Sequence, residues 1–329
     1  MTQKKLRSQG CILCHRGAKM VLFITGVCGR TCWYCPLSSG RKDKDVVFAN
    51  ERRVENPGEA IEVARRMSAL GTGITGGEPL LRLDRVISYC RELKKEFSPA
   101  HQIHLYTGIA PAREDLATMT GLVDEIRLHP PRDCWETISD SEYLESAAIA
   151  RELGFDVGIE VPSLPGIEHL AAALPALDFL NINELEWGES NAEEMRSRGH
   201  LLADGVHNAV KGARGWARPL LADSRVHWCS SAFKDSVQLR KRLIRNARNT
   251  ARSFDEITKD GTILYGVLEC QDDVPPFIRR LGSDMYEIRD GQVETAWWVI
   301  TRYAEDIPGR KSVLERCPDR GLVVEVTPV

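Results

Sequence analysis

Three cysteines stand close together near the start of the chain, at Cys28, Cys32 and Cys35. Their spacing is C-x3-C-x2-C, so one tight loop carries three thiolates, and each can bind one iron of a [4Fe–4S] cube. Clusters of this kind usually take four cysteine ligands. A set of three leaves one iron open, and an open metal position admits a substrate or cofactor. The loop therefore predicts a cluster with one exchangeable site.

Other cysteine-based sites fit this spacing less well. Plant-type [2Fe–2S] ferredoxins use C-x4-C-x2-C, which is one residue longer. Zinc modules usually supply paired C-x2-C units, or one such unit with two histidines. A disulfide framework needs an even number of cysteines and an oxidising compartment. A zinc knuckle is the structural alternative to a redox cluster.

A second motif, Gly76-Gly77-Glu78-Pro79, follows about 40 residues after the cysteine loop. Two glycines let a backbone come close to a ligand at the end of a strand. Glu78 offers a carboxylate for an ammonium group. Alone, this tetrapeptide is a common turn, but here it stands one strand–helix unit beyond the cysteines.

These two motifs, in this order, resemble the radical S-adenosylmethionine (SAM) superfamily, whose signature places an aromatic residue, here Tyr34, before the last cysteine. The resemblance implies that Cys28, Cys32 and Cys35 hold a [4Fe–4S] cluster and that SAM chelates its open iron. The Gly76–Pro79 motif would bind the methionyl amine of SAM. An external one-electron reductant of the ferredoxin or flavodoxin type would then allow cleavage of SAM to a 5′-deoxyadenosyl radical, which abstracts hydrogen from a substrate.

Further cofactor contacts are predicted at strand ends. The resemblance places Tyr34 beside the adenine of SAM. Thr107, His129 and Glu160 fall where polar contacts to the ribose or the substrate are expected. Each of the three is equally consistent with an ordinary polar loop residue.

Alternating strand and helix patterns surround the motifs. The apolar run 19–27 predicts a buried parallel strand that ends at the cysteine loop. Further strands are predicted near 72–76, 102–107, 124–129, 156–161 and 178–184, and helices near 82–96, 111–120, 140–153, 166–175 and 190–199. Such alternation predicts an α/β fold with a parallel sheet. Six units fit a partial (β/α)6 barrel, the fold that the resemblance also implies, with ligands at the carboxyl ends of the strands.

The pattern changes in the last third of the chain. Residues 234–252 predict a long helix, and Asp290-Gly291 predicts a type I′ turn in a hairpin. We therefore expect an N-terminal extension over 1–18, a barrel over 19–225, and a small α+β appendage over 226–329.

A second cysteine pair, Cys11 and Cys14, precedes the barrel. A C-x2-C pair supplies half of a metal site. His227 and Cys229, at the junction with the appendage, are the best candidates for the other half. Together the four residues would form a closed Cys3His zinc site, or the cysteines would hold an auxiliary iron–sulfur cluster. Reduced thiols without a metal are the alternative.

The helix over 234–252 is strongly basic. Lys241, Arg245, Arg248 and Arg252 share one face, and a basic stripe can follow a phosphate backbone. A solvated helix face is the ordinary alternative. The net charge of −3 gives no indication of a globally basic nucleic-acid binder.

Composition favours a soluble, cytoplasmic protein with no membrane partner. The chain is 43% hydrophobic and 28% charged. No apolar stretch reaches the ~18 residues needed to cross a bilayer. Residues 1–7 are not followed by the apolar segment of a signal peptide. Ten cysteines in such a chain favour metal binding over disulfides.

Residues 20–190 resemble the branch of the superfamily related to pyruvate formate-lyase activating enzymes. Cys11–Cys14 and residues 227–252 resemble uncharacterised archaeal members of that branch. The activating enzymes lack the C-terminal third, so the leading hypothesis is a radical SAM enzyme, an oxidoreductase or transferase, that abstracts hydrogen from RNA or protein. The alternatives are glycyl-radical activation, small-molecule rearrangement, and a cluster protein that only transfers electrons.

Overall fold

The computed structural model describes residues 7–269, 274–307 and 309–329, which form two units. The first unit runs to Arg65 and continues over Ala69–Gln238, and the second contains Arg66–Ser68 and Leu239–Val329. This division differs from the expected one at 225/226, because Val226–Cys229 adds a further strand to the first sheet. The expected separate extension also belongs to the first unit.

A nine-stranded sheet, ordered β3-β2-β1-β4-β5-β6-β7-β8-β9, forms the first unit. Its strands are β1 (Lys19–Phe23), β2 (Val47–Ala49), β3 (Arg52–Val54), β4 (Gly71–Thr75), β5 (Gln102–Thr107), β6 (Glu125–Leu128), β7 (Asp156–Pro162), β8 (Phe179–Asn183) and β9 (Val226–Cys229). β1 and β4 to β9 pair in parallel, whereas β2 and β3 form an antiparallel edge. The predicted α/β partial barrel is confirmed, and β9 extends it beyond the six predicted strands.

Helices precede, connect and follow these strands. They are α1 (Gln9–His15), α2 (Pro57–Arg66), α3 (Leu83–Phe97), α4 (Arg113–Met119), α5 (Glu142–Glu152), α6 (Ala192–Ser197), α7 (Ala213–Ala217) and α8 (Ser231–Phe233), with 3-10 segments at Pro79–Arg82, Arg132–Asp140 and Ile167–Ala176. Asn56 caps α2, since its Oδ1 accepts a hydrogen bond from the Glu59 N–H at 3.1 Å.

The two faces of the parallel sheet differ in polarity. Side chains alternate between faces along a strand, and one face carries fully buried apolar residues such as Ile103, Leu105 and Ile126. The alternate positions carry polar groups, namely Lys19, Gln102, His104, Tyr106, Glu125, Arg127, Glu160, Asn181 and Asn183. The barrel therefore has an apolar outer face and a polar interior.

Arg127 lies at the centre of that interior and is 2% exposed. Its Nε donates to Glu125 Oε1, and its Nη1 donates to Glu160 Oε2, both at 2.6 Å. Burial raises the pKa of Glu160, but Arg127 and the amides of Asn183 and Asn181 lower it, and the result lies below the ordinary value. Glu160 is therefore a buried carboxylate that stays ionised.

The N-terminal helix α1 is attached to the same buried charges. Ser8 Oγ donates to Glu125 Oε1 at 3.0 Å, and the Gly10 N–H donates to Glu125 Oε2 at 3.1 Å. A Cβ atom on Gly10 would lie 2.5 Å from both Arg127 Nη2 and His104 Nδ1, so a larger residue would have to displace these buried side chains. This docking carries Cys11 and Cys14 into the barrel.

The second unit is α+β, as predicted. Its sheet is ordered β12-β13-β11-β14-β15, and β10 pairs with β11. The strands are β10 (Glu256–Ile257), β11 (Ile263–Glu269), β12 (Tyr286–Arg289), β13 (Gln292–Thr295), β14 (Lys311–Arg316) and β15 (Val323–Pro328), and the helices are α9 (Arg240–Thr250), α10 (Pro276–Arg280) and α11 (Trp297–Arg302). A π-helical segment, Lys234–Leu239, precedes α9. The φ values of +50° at Asp290 and +74° at Gly291 confirm the predicted hairpin turn.

Across the described ranges, every helix is too short or too polar to cross a membrane.

Replacing Arg127 with Met tests the importance of the buried charges for stability. We expect the free energy of unfolding to fall by about 3–5 kcal/mol, because two buried carboxylates lose their cation. Urea unfolding of the metal-free protein, followed by circular dichroism, measures the change. Arg53→Met is the control: it breaks the exposed Arg53–Glu55 pair and should cost less than about 0.5 kcal/mol. Equal losses in the two variants would contradict this role of Arg127.

Candidate active site

The cysteine loop follows β1, and Cys28, Cys32 and Cys35 line one cavity of about 320 Å³. The cavity lies at the carboxyl ends of the parallel strands, as expected for a β/α fold. The cofactor residues predicted from sequence also line it: Tyr34, Gly76, Gly77, Glu78, Pro79, Thr107, His129 and Glu160. The structure thus brings the triad and all of these residues together, while their individual roles stay predictions.

The donor set of this cavity fits an iron–sulfur cluster with one open iron. Three thiols come from one loop and line the same cavity. In the described ranges, no three His, Cys, Asp or Glu side chains have the geometry to bind one metal ion. The sulfurs of Cys28, Cys32 and Cys35 therefore do not form a single-ion site either. Cysteine ligands of a cubane bind different irons, so their sulfurs need not converge on one point.

Gly76 and Gly77 bring the loop after β4 against the cysteine loop. The Gly77 N–H donates to the Thr25 carbonyl at 2.7 Å, and the Glu78 N–H donates to the Val27 carbonyl at 2.9 Å. A Cβ on Gly77 would lie 2.5 Å from the Val27 oxygen, and one on Gly76 would lie 2.5 Å from the Thr25 oxygen. These glycines therefore make room for backbone, and both also line the cavity, so the predicted close approach of a ligand stays a prediction.

The Glu78 carboxylate is buried, and it joins the ends of β4 and β5. It accepts hydrogen bonds from the Leu80 N–H at 3.0 Å, Thr107 Oγ1 at 2.8 Å, the Gly108 N–H at 2.7 Å and the Ile109 N–H at 3.2 Å. Glu78 and Thr107 therefore bond to each other as well as line the cavity. An ammonium group would meet a carboxylate that is already held in place by these donors.

His129 positions Tyr34 over the cavity. Its Nδ1 lies 2.9 Å from the Glu160 carbonyl, which can only accept, so Nδ1 carries the proton. Burial lowers the pKa of His129 and favours the neutral ring, whose Nε2 then accepts from the Tyr34 hydroxyl at 3.1 Å. The predicted residues His129, Glu160 and Tyr34 thus form one connected unit.

Arg30, inside the cysteine loop, was not among the predicted site residues. Its Nη1 donates to the His129 carbonyl at 2.8 Å, and its Nη2 donates to the Tyr143 hydroxyl. Asn191 Nδ2, from beyond β8, donates to the Tyr34 carbonyl at 3.0 Å. These partners are distant in sequence, so only the position of Arg30 between two cysteines could have pointed to it.

The second predicted metal site also maps to one cavity of the first unit. Cys11, Cys14, His227 and Cys229 line a space of about 290 Å³, which we call the inner cavity. Burial raises the pKa of Cys14, and it raises the pKa of Cys229 to about 12. The structure therefore brings the four residues to one space, and their binding of a metal stays a prediction.

The basic stripe of α9 is partly used inside the second unit. Arg245 Nε donates to the Met67 carbonyl at 3.1 Å. Arg252 donates to Asp255 at 2.8 Å and to Glu287 at 3.0 Å. Arg245, and Arg252 beyond the end of α9 at Thr250, thus have protein partners.

Two family models and one relative match parts of this chain. A family model described as a 4Fe-4S single cluster domain matches residues 15–131, and one described as a domain of unknown function matches residues 261–329. A Methanocaldococcus jannaschii protein, named provisionally as a glycyl-radical enzyme activating enzyme, is 40% identical over 275 residues, which cover 79% of this chain and 73% of that protein.

Solved structures of Streptococcus suis SuiB are also similar, at 12% identity. The structure bound to S-adenosylmethionine has a TM-score of 0.42 and covers 65% of this chain and 50% of SuiB. The structure bound to precursor peptide SuiA has a TM-score of 0.40 and covers 74% of this chain and 53% of SuiB. The chain spans about half the length of the SuiB structures that it matches.

Replacing Gly77 with Ala tests the backbone contact between the two loops. We expect SAM affinity to fall at least about 10-fold, or about 1.4 kcal/mol, because the added methyl group would separate the loops. Equilibrium binding to the anaerobically reconstituted protein measures this. Gly215→Ala in α7 is the matched control, since its Cβ would meet nothing within 4 Å. Unchanged affinity in the Gly77 variant would show that the contact does not shape the site.

Proposed function

The chain belongs to the radical SAM superfamily, in the branch related to pyruvate formate-lyase activating enzymes, and on that premise we propose that it abstracts hydrogen from a partner protein to leave a glycyl radical there. It is a radical SAM enzyme with a [4Fe–4S] cluster and SAM as cofactors. The observation that carries the proposal is the common cavity of Cys28, Cys32 and Cys35 with the Gly76–Pro79 loop.

Side chains of this protein fix the cysteine loop and line the cavity in which the proposed reaction takes place. When bound and reduced by an external one-electron donor of the ferredoxin or flavodoxin type, the cluster and SAM supply the hydrogen-abstracting chemistry. Arg30, His129 and Asn191 fix the cysteine loop through backbone and hydroxyl contacts. Pro36 and Leu185 add apolar surface to the same cavity, and such surface keeps water away from a reactive species.

A protein substrate is supported better than an RNA substrate. The Methanocaldococcus jannaschii relative is named for activating an enzyme, which is itself a protein. The RNA hypothesis depended on the basic stripe predicted over 234–252, in which Arg245 and Arg252 have protein partners. We therefore favour glycyl-radical activation of a partner protein over RNA modification.

Removing the triad tests the enzyme assignment. Replacing Cys28, Cys32 and Cys35 together with Ala should lower 5′-deoxyadenosine production to background, because the cluster loses its protein ligands. Chromatography of anaerobic reactions with SAM and dithionite measures the product. Cys134→Ser is the control, since serine retains the donor to the Pro131 carbonyl, and it should keep near-full production. Product formation by the triple variant would refute the assignment.

Electron paramagnetic resonance tests the choice of substrate. The chain is co-expressed anaerobically with a candidate glycyl-radical enzyme, and we expect a radical doublet on that partner only when the triad is intact. Replacing the partner's radical glycine with alanine should remove the doublet. If 5′-deoxyadenosine forms with an RNA or metabolite fraction and no partner radical appears, the enzyme assignment stands and the substrate proposal fails.

A further inference from the structure

The inner cavity contains sulfur and imidazole ligands that the proposed reaction does not use. We propose that it binds a second iron–sulfur cluster, ligated by Cys11, Cys14 and Cys229, with His227 as the fourth side chain. All four line the inner cavity, which is separate from the cavity of the triad.

The ligands reach the inner cavity from two elements of the first unit. Cys11 and Cys14 are three residues apart on α1, so they point to the same side of that helix. His227 and Cys229 alternate with Trp228 on β9 and pair with Asn181 and Asn183 of β8, so both face the barrel interior. The contacts of Ser8 and Gly10 with Glu125 hold α1 in this position.

Hydrogen-bond donors surround the sulfur atoms. Asn181 Nδ2 lies 3.3 Å from Cys11 Sγ, and Arg127 Nη2 lies 3.7 Å from the same sulfur. Gln238 Nε2 lies 3.9 Å from Cys229 Sγ. N–H groups directed at cysteine sulfurs are the outer contacts that stabilise and tune protein-bound clusters.

The charges around the inner cavity suit an anionic centre. Lys19 is 4% exposed, and its amine lies 2.6 Å from His104 Nδ1. The amine also donates to Gln102 Oε1, so these two hydrogen-bond partners of Lys19 are uncharged side chains, although buried charges are normally paired. Arg127 and Lys234 line the same space, but each is already paired with carboxylates, Arg127 with Glu125 and Glu160 and Lys234 with Glu186. A cluster with thiolate ligands would bring the negative charge that Lys19 lacks.

The size of the inner cavity favours a cluster over a single zinc ion. A structural zinc site is closed, with ligands about 2.0–2.3 Å from the ion, and it leaves no room between them. Here the candidate ligands line a space of about 290 Å³ together with other side chains, and among the described residues no three of them have the geometry of a single-ion site. This space suits a centre of several atoms. Tyr106, Glu160 and Asn183 line both cavities, so one layer of side chains separates the two.

Iron and sulfide analysis of the anaerobically reconstituted full chain tests the proposal. If both clusters are cubanes, the unaltered protein should contain about eight irons. The variant with Cys28, Cys32 and Cys35 replaced by Ala should keep about four, with the Mössbauer spectrum of a cluster. The variant with Cys11, Cys14 and Cys229 replaced by Ala should also keep about four. Cys134→Ser should keep about eight.

Three results would overturn the second cluster: about four irons in the unaltered protein, background iron in the triad variant, or one zinc per chain in place of the second set of irons. If the Cys11/Cys14/Cys229 variant fails to fold, the variant without Cys28, Cys32 and Cys35 still tests for the second cluster, because its inner cavity is unchanged. The iron and sulfide analysis and the Mössbauer spectrum do not depend on SAM cleavage. A negative result for the second cluster is therefore distinguishable from failure of the proposed enzyme activity.

Discussion

The first unit depends on one buried ionic contact, that of Arg127 with Glu125 and Glu160. A charged group inside a protein is stabilised only when it is paired and hydrogen-bonded, and here each carboxylate has the guanidinium as its partner at 2.6 Å. Glu125 also binds the start of α1, and the backbone of Glu160 orients His129. One interaction thus connects the N-terminal helix, the middle of the barrel and the cysteine loop.

The two faces of the sheet differ in polarity. The same barrel can therefore place a candidate active site at its carboxyl edge and charged side chains in its interior. Apolar side chains on the outer face supply the hydrophobic core, which leaves the inner face free to carry polar groups. At the carboxyl edge, the loops after β1 and β4 meet through backbone hydrogen bonds that only glycine allows at positions 76 and 77. The two glycines of the motif therefore join the two loops through backbone contacts, and the binding of SAM by the motif stays a prediction.

The sequence was most informative where the chemistry depends on local spacing. The triad, the Gly76–Pro79 loop and the strand–helix alternation could all be predicted, because each is a pattern within a few residues. Strand β9 was missed because four residues beside a predicted junction carry little periodicity. Arg30 and Arg127 were missed because their partners are distant in the chain and only the fold brings them together. The attachment of α1 to Glu125 was unpredictable for the same reason, so Cys11 and Cys14 could be paired with His227 and Cys229 but not placed inside the barrel.

The central claim is that three cysteines leave one iron of the cluster open for SAM. Electron–nuclear double resonance of the reduced protein, with SAM carrying nitrogen-15 at its methionyl amine, tests this claim directly. We expect a nitrogen-15 coupling that shows the amine bound to the cluster, and its loss when unlabelled SAM is used. A reduced cluster that binds labelled SAM without such a coupling would have no open iron for the amine, and the claim of an exchangeable iron would be wrong.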